Sequence, residues 1–251
     1  MASICILGAG GFIGQHVCKR FPQATALTRA QLDLTDDNAV RDYFSKNEFE
    51  IIIHCAAIGG SRLRPDEDEM FKQNLAMFSN VRRFAKFNHM IWFSSGAADK
   101  GDTPYGAAKQ LCEGIAKRDP RIYTLKIWGC FGPGEPPQRL LATAIRQGYV
   151  KIPKDRLFDF IHVDDVMEVI QGIINSGFKL EPKFMHMIYP EGPHRLSEVL
   201  DMAKIPYVIL NQNLDEPYTS VCNVAMLRPV LKERVTEYVN EGVRLRDPIS
   251  D

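Results

Sequence analysis

The sequence predicts an α/β fold built on a doubly wound parallel sheet, and three observations support this. Short apolar runs of strand length alternate with stretches whose apolar residues recur at helical spacing. A glycine-rich stretch joins the first run to the first helical stretch. The 251 residues are 45% hydrophobic and 25% charged, as in ordinary globular chains, and suffice for one such domain with a small appendage.

The predicted elements alternate strictly over the first half of the chain. Strands are expected at 3–7, 24–28, 50–55, 90–94 and 121–128. Helices are expected from the glycine stretch to Pro22, and at 36–46, 66–88, 105–118, 138–147, 164–176 and 196–203. Because the alternation loosens after Phe131, we expect a main domain over 1–130, joined again by about 155–175. The remainder, 131–251, is expected to form a small substrate-binding lobe.

Charge and cysteine content restrict the possible partners and compartment. Lys plus Arg and Asp plus Glu are 31 each, which argues against nucleic acid or an anionic membrane as partner. The six cysteines show neither a C-x-x-C pair nor zinc spacing, so we expect reduced thiols in a cytoplasmic protein and no metal site. No apolar run reaches the length of a membrane span, and the apolar N-terminus is interpreted as a strand.

Three glycines, Gly8, Gly11 and Gly14, follow the first predicted strand and open the first helix. Glycine permits the tight strand-to-helix turn, lets the backbone approach a pyrophosphate, and lets helix and strand pack closely. The helix then starts at Phe12 and Ile13, where backbone N–H groups and the positive end of the helix dipole favour phosphate. This context, more than the triplet itself, predicts a dinucleotide site.

The residues after the second strand indicate which dinucleotide binds. NAD recognition needs a carboxylate there for the ribose 2′-hydroxyl, but the chain reads Ala-Leu-Thr-Arg over 26–29, with no carboxylate before Asp33. Arg29 could pair with a 2′-phosphate, so NADP(H) is predicted over NAD(H). The alternative is that Arg29 is a solvated surface residue.

Tyr105 and Lys109 lie one turn apart at the start of a predicted helix, so their side chains share a face. An ammonium near a phenol favours phenolate, and such a tyrosine can exchange a proton with a substrate oxygen. The preceding strand ends in Ser94 and Ser95, and ligands bind beyond the carboxyl ends of parallel strands. We therefore predict Ser95, Tyr105 and Lys109 as catalytic residues, with Ser94 as the alternative serine.

Together these residues resemble the extended short-chain dehydrogenase/reductase family, the branch that modifies nucleotide sugars. The resemblance covers about 3–170. It rests on Gly8-Ala-Gly-Gly11-Phe-Ile-Gly14, Asp33-Leu34, His54-Cys-Ala-Ala57, Asn74, Ser94-Ser95, Tyr105-x-x-x-Lys109, Phe131-Gly-Pro-Gly134 and Phe158-Asp-Phe-Ile-His-Val-Asp-Asp165. Residues 27–36 are similar to the GDP-fucose synthase and dTDP-4-dehydrorhamnose reductase groups, and residues 56–61 and 73–80 are similar to GDP-fucose synthase. Both groups are NADPH-dependent 4-keto-sugar reductases.

The resemblance implies a Rossmann-like fold and roles for particular residues around the cofactor. Asp33 and Leu34 would contact the adenine, Ala56 and Ala57 would line the cofactor, and Lys109 would also bind the nicotinamide ribose. It also implies a homodimer through the helices at 66–88 and 105–118, where apolar residues could serve either the interface or the core.

The same resemblance implies how the substrate, a nucleotide diphosphate sugar, would react. Tyr105 would protonate the sugar O4 as hydride reaches C4, and Ser95 or Ser94 would orient the carbonyl. Gly96 and Arg62 are further candidates for substrate contact. The expected reaction is reduction of a nucleotide-activated 4-keto-6-deoxy sugar. The alternatives are a sugar 4-epimerase with a tightly held cofactor and a non-catalytic NADP-binding regulator.

This sequence departs from the family pattern in two places. Gly96-Ala97 follows the serines where dehydratases carry an Asp-Glu pair, and where GDP-fucose synthases carry a cysteine for epimerisation. Nine residues separate Ser95 from Tyr105, a shorter stretch than relatives usually have. These departures argue against dehydration and leave a 3,5-epimerisation without its expected acid or base.

Two further segments admit both a structural and a functional interpretation. His162, Asp164 and Asp165 could suggest a metal site, but at a strand-to-helix junction Asp164 is expected as an N-cap with the acidic pair at the positive dipole end. The basic segment 151–156 could meet a substrate diphosphate, although a solvated loop is the expected interpretation.

Overall fold

The computed structural model describes residues 2–60, 65–220 and 230–244, and the chain divides into two compact units. Unit 1 comprises Met1–Lys126 and Met167–Met185, and unit 2 comprises Ile127–Val166 and His186–Asp251. The assignment of cofactor to the first part of the chain and substrate to the lobe at 131–251 stays a prediction.

The strands are β1 (Ile4–Leu7), β2 (Thr25–Leu27), β3 (Ile51–His54), β4 (His89–Ser95), β5 (Ile122–Ile127), β6 (Gly129–Phe131), β7 (Val150–Lys154), β8 (Leu157–Phe158), β9 (Phe160–His162), β10 (Phe184–Met187), β11 (His194–Arg195) and β12 (Tyr207–Asn211). The helices are α1 (Phe12–Arg20), α2 (Asp37–Lys46), α3 (Asp68–Phe84), α4 (Ala97–Lys100), α5 (Pro104–Ala116), α6 (Leu140–Gln147), α7 (Val163–Asn175), α8 (Leu196–Ala203) and α9 (Leu231–Arg244).

A central sheet in the order β10-β5-β4-β3-β1-β2 confirms the predicted fold class, a Rossmann-like α/β fold. Strand β1 pairs in parallel with both β2 and β3, and β3 pairs in parallel with β4. The chain therefore moves outward from β1 to β2 and then returns past β1 to β3. Ligands of such sheets bind at the carboxyl ends of the strands beside this reversal.

The strands of the sheet are apolar because helices cover both faces. Strands β1, β3 and β5 are buried along their whole length. Phe78 of α3 packs on Trp92 of β4 with ring centroids 4.9 Å apart. The apolar residues of the predicted helix 66–88 that could serve an interface or the core are Met77, Phe78 and Phe84. Met77 and Phe78 belong to the core of unit 1, and the partly buried Phe84 packs against that core.

Most predicted helices are confirmed, with shifts at their ends that have local causes. Helix α2 starts after Asp36, whose carboxylate accepts the N–H groups of Asn38 and Ala39. Helix α3 is shorter than the predicted 66–88, because the backbone becomes extended at Ala85 and carries the buried Phe87 into the core. The short helix α4 and the C-terminal helix α9 have no counterpart among the predicted elements.

The described residues of unit 2 form three two-stranded pairings: β6 with β9, β7 with β12, and β8 with β11. Helix α9 presents the buried Val235, Tyr238 and Val239 at helical spacing. Over the described ranges, no helix is both long enough and apolar enough to cross a membrane.

Candidate functional site

The turn that follows β1 is built from close backbone contacts. Gly8 has φ +80°, and a Cβ on it would lie 2.6 Å from the backbone nitrogen of Ala56. A Cβ on Gly14 would lie 2.2 Å from the carbonyl oxygen of Gly8. These two glycines therefore let α1 and the segment after β3 approach the end of β1, as the sequence predicts.

The next part of this turn is more open. A Cβ on Gly10 or Gly11 would meet its nearest atom at 3.8 Å and 3.4 Å respectively, which is ordinary contact. Gly11 is the N-cap of α1, whose first residues are Phe12 and Ile13, and it brings no side chain to cap their amides. The backbone at this helix start can thus be approached by an anionic ligand.

A cavity of about 210 Å³ lies at this turn, beside the topological reversal of the sheet. Its lining comprises Leu7, Gly8, Gly10, Gly11, Leu27, Thr28, Arg29, Leu32, Asp33, Leu34, Cys55, Ala56, Ala57, Ile58 and Met77. The predicted cofactor residues Gly8, Gly11, Arg29, Asp33, Leu34, Ala56 and Ala57 are among them. Phe12, Ile13, Gly14, Tyr105 and Lys109 are not part of this lining.

Two side-chain acceptors engage the polar groups at the β2 end of the cavity. The Arg29 guanidinium lies 3.3 Å from the Asp33 carboxylate, and the Arg29 side chain is 64% exposed. Hydrogen bonds from Thr35, followed by the charge of Arg29, hold the pKa of Asp33 below its usual value. The N–H and O–H of Thr28 both donate to the amide oxygen of Gln31, at 2.9 and 2.8 Å.

Asn74 fixes the loop that leaves the cavity after β3. Its side-chain oxygen accepts the N–H of Ile58 at 3.1 Å, and its side-chain nitrogen donates to the Ile58 carbonyl at 2.6 Å. Asn74 is itself buried in α3. One amide thus pairs with both backbone groups of Ile58 and holds the cavity wall in place.

The same loop ends against the predicted catalytic tyrosine. A Cβ on Gly60 would lie 2.8 Å from Cε1 of Tyr105, so the ring packs directly on this glycine. Helix α5 starts just before Tyr105, with Thr103 as an N-cap that accepts the N–H of Gly106 at 3.0 Å. The loop 56–60 therefore runs from the cavity wall to the Tyr105 ring.

Lys109 is buried beneath Tyr105, with 4% of its surface exposed. Its Nζ donates to the carbonyl oxygen of Phe93 at 2.7 Å. The ammonium lies 4.8 Å from the centre of the Trp92 ring and 5.7 Å from that of Tyr105. Burial lowers the pKa of Lys109 to about 8, so this ammonium titrates far closer to neutral pH than an exposed lysine does.

The two serines that end β4 lie in different surroundings. Ser94 is buried, and its hydroxyl donates to the Glu113 carboxylate at 2.5 Å. Ser95 is only partly buried, and its oxygen accepts the N–H of Ala97 at 3.3 Å. Gly96 follows at the start of α4, and Arg62 lies outside the described residues.

In unit 2, the junction between β9 and α7 corrects one expectation. Asp164 was expected as the N-cap, but α7 already begins at Val163, and the ring nitrogen Nδ1 of His162 accepts the N–H of Asp164 at 3.3 Å. Asp165 is instead buried and accepts two hydrogen bonds from the Arg234 guanidinium, at 3.0 and 2.6 Å. The hydroxyl of Tyr189 also donates to Asp165.

The geometry of unit 1 thus combines a glycine-lined cavity with a phenol above a buried ammonium. Residues 4–185 match the sequence model of the NAD dependent epimerase/dehydratase family, and the chain belongs to that family. No curated protein sequence is similar enough to the chain to match it.

Solved structures share the fold at low sequence identity. The GDP-mannoheptose C4 reductase of Campylobacter jejuni, solved with NADP bound, superposes with a TM-score of 0.75 at 15% identity, covering 97% of this chain and 98% of that one. The dTDP-4-dehydrorhamnose reductase of Bacillus anthracis, in complex with NADP, gives 0.72 at 15% identity, covering 96% and 99%. A UDP-galactose 4-epimerase gives 0.72 at 16% identity, covering 97% and 99%.

Proposed function

We propose that the protein is an NADPH-dependent reductase of a nucleotide-activated 4-keto-6-deoxy sugar. The observation that carries this proposal is the Tyr105 ring one helical turn from the buried ammonium of Lys109, at the end of a loop that starts at a glycine-lined cavity. The family supports an oxidoreductase or isomerase of this type. Binding of the nucleotide sugar is assigned to the lobe at 131–251.

The cavity suits NADP(H) because its open glycines fit a pyrophosphate and its β2 end carries a cation. Arg29 is exposed and lies 3.3 Å from Asp33, so a ribose 2′-phosphate can compete with that carboxylate for its guanidinium. The N–H and O–H of Thr28, which both donate to the Gln31 amide oxygen, can donate to a phosphate oxygen instead. Two of the similar structures carry NADP, which agrees with this assignment.

The reaction needs a proton at the sugar O4, and Tyr105 is the proposed donor. When bound, the reduced nicotinamide supplies the hydride for C4. Lys109 holds a positive charge beneath the phenol and so stabilises the phenolate that remains after proton transfer. Ser95 donates a hydrogen bond to the carbonyl oxygen, whereas the Ser94 hydroxyl is already bound to Glu113.

NADPH consumption tests the proposal directly. The protein is incubated with GDP- and dTDP-linked 4-keto-6-deoxy sugars while the NADPH absorbance is followed. A reductase consumes NADPH in proportion to the product formed. A 4-epimerase, whose fold this chain also shares, interconverts nucleotide sugars without net consumption, and a non-catalytic binder does neither.

We also propose a homodimer formed through α3 and α5. The proposal follows from the resemblance to the family, and Leu111 of α5, a large apolar residue that is 46% exposed, is available to such an interface. Light scattering of the purified protein distinguishes a dimer from a monomer.

A further inference from the structure

Three residues of alternating charge, Asp99, Lys126 and Glu113, form a network close to the proposed catalytic residues. The Lys126 Nζ lies 3.1 Å from the Glu113 carboxylate, and both side chains are less than a tenth exposed. Lys126 also binds the carboxylate of Asp99, whose side chain is 37% exposed. Glu113 accepts the Ser94 hydroxyl as well. This charge network therefore connects strands β4 and β5 with helices α4 and α5.

Asp99, the partly exposed member of the charge network, holds helix α4. This helix lies in the short connection between Ser95 and Tyr105. Asp99 belongs to α4, and the first residue of that helix, Ala97, donates its N–H to the Ser95 oxygen. A Cβ on Gly106 would lie 2.6 Å from the Ala97 carbonyl, so α4 also packs tightly on the start of α5. Fixing Asp99 therefore restricts how Ser95 is oriented.

Glu113, the buried carboxylate of the charge network, lies close to Lys109. Glu113 follows Lys109 by one helical turn, so the two lie on the same face of α5, and the Glu113 charge favours the ammonium. His54 faces Lys109 from β3, but burial lowers its pKa to about 4 and leaves it neutral. Burial also raises the pKa values of the Cys55 and Cys112 thiols, which leaves both uncharged.

Glu113 supplies negative charge that supports the ammonium. It is a carboxylate one helical turn from Lys109, and its charge raises the pKa of Lys109 against the effect of burial. Its charge is shared with Lys126, and Asp99 in turn offsets Lys126. Without the Asp99 charge, Glu113 must compensate the charge of Lys126 alone. Less of its negative potential then remains to stabilise the Lys109 ammonium, so the pKa of Lys109 falls.

We propose that Asp99, Lys126 and Glu113 are positioning residues that orient Ser95 through α4 and keep Lys109 in its ammonium form during reduction. This inference rests on the proposed function for its kinetic consequence but not for its electrostatic one. Asp99 is the most useful handle, because its side chain is partly exposed and its amide variant keeps the shape. Asp102, in the same connection and exposed, gives the matched control.

The electrostatic test needs no substrate. Protein labelled with ¹³C-lysine is titrated by NMR, and the Lys109 signal is assigned by its absence in Lys109→Met. We expect a midpoint near pH 8 in the wild type. In Glu113→Gln the midpoint moves down by about one pH unit, and in Asp99→Asn it moves in the same direction by less. Asp102→Asn leaves it unchanged.

The kinetic test separates positioning from folding. Asp99→Asn should lower kcat by about tenfold and leave the KM for NADPH and the Tm close to the wild-type values. The alkaline limb of its kcat profile should move to lower pH with the NMR midpoint. Lys126→Arg, which keeps the charge, should retain more activity than Lys126→Met.

An unchanged Lys109 midpoint in both Asp99→Asn and Glu113→Gln overturns the inference, whatever the activity of the wild type. Altered midpoints together with an unaltered kcat in Asp99→Asn also overturn it, because the positioning role would then be missing. A wild type that turns over no keto sugar contradicts the proposed function alone, since the titration still decides the electrostatic claim.

Discussion

Two buried carboxylates, one in each unit, each bind one cationic side chain and one hydroxyl. Glu113 in unit 1 binds a lysine and a serine hydroxyl, and Asp165 in unit 2 binds an arginine and a tyrosine hydroxyl. Both are less than a tenth exposed. By composition and burial alone they would be assigned the same role.

The difference lies in what each carboxylate has as its next neighbour. Glu113 lies one turn from Lys109, a buried cation with a strongly lowered pKa. The cation paired with Asp165 is not perturbed in this way: the bidentate contact raises the pKa of Arg234, and the Tyr189 hydroxyl also accepts the N–H of His162. A buried carboxylate beside a cation with a lowered pKa is therefore the better candidate for a functional group.

The largest expected effect is on turnover when the poised group is removed. Lys109→Met should lower kcat by about 100-fold or more, because the phenolate left by Tyr105 loses its neighbouring charge. The Tm should not fall, since a buried ammonium with a lowered pKa opposes folding near neutral pH. Steady-state kinetics and a thermal melt of the same preparation measure both. A fall in Tm with normal turnover would reverse the comparison.

The second largest effect is on stability, in the other cluster. Arg234→Met leaves the buried Asp165 carboxylate without its cation, while the Tyr189 hydroxyl still donates to it, and should lower the free energy of unfolding by about 3 to 5 kcal/mol. Urea denaturation measures it. Turnover per folded molecule should stay close to that of the wild type. A selective loss of kcat, with unfolding unaffected, would place Asp165 in the catalytic machinery instead.

The third prediction concerns pH. The ammonium of Lys109 is present below its pKa of about 8 and is lost as the pH rises through it. The kcat of the wild type should therefore be level below pH 8 and decline above it by about tenfold per pH unit. A pH profile with saturating cofactor gives the limb. A profile that stays level well above pH 8 would mean that the charge of Lys109 does not limit the reaction.

The smallest effect is expected from an exposed ion pair. Arg29→Ala should reduce the preference for NADPH over NADH by about tenfold, with little change in Tm, because exposed pairs contribute little to stability. Arg41→Ala is the matched control, since Arg41 forms an equivalent i,i+4 pair with Asp37. Cofactor titrations by fluorescence give the ratio. Equal ratios in the two variants would remove Arg29 from 2′-phosphate recognition.

Much of unit 1 could be predicted from sequence because its signals are local. Apolar runs separated by amphipathic stretches gave the central sheet, and the glycines after β1 marked the turn before α1. Helix α4 escaped because four residues are too short for a periodic pattern. Helix α9 escaped although Leu231, Val235, Tyr238 and Val239 recur at helical spacing, a signal that could have found it.

The charge network of Asp99, Lys126 and Glu113 was not predicted from the sequence, for a different reason. Lys126 stands in a strand that is otherwise apolar apart from Thr124, and a charge in a buried strand needs a partner. That partner, Glu113, lies 13 positions earlier in the sequence, and only the fold brings the two together. Asp164 was misassigned because the sequence pattern cannot determine at which of several adjacent residues a helix begins.

The central claim is that Tyr105 protonates the sugar oxygen while NADPH is consumed. The most direct measurement compares NADPH oxidation by the wild type and Tyr105→Phe with a 4-keto-6-deoxy nucleotide sugar, alongside NADPH affinity. We expect stoichiometric oxidation by the wild type, and turnover at least about 100-fold lower in the variant with similar affinity. Undiminished oxidation by Tyr105→Phe would contradict it.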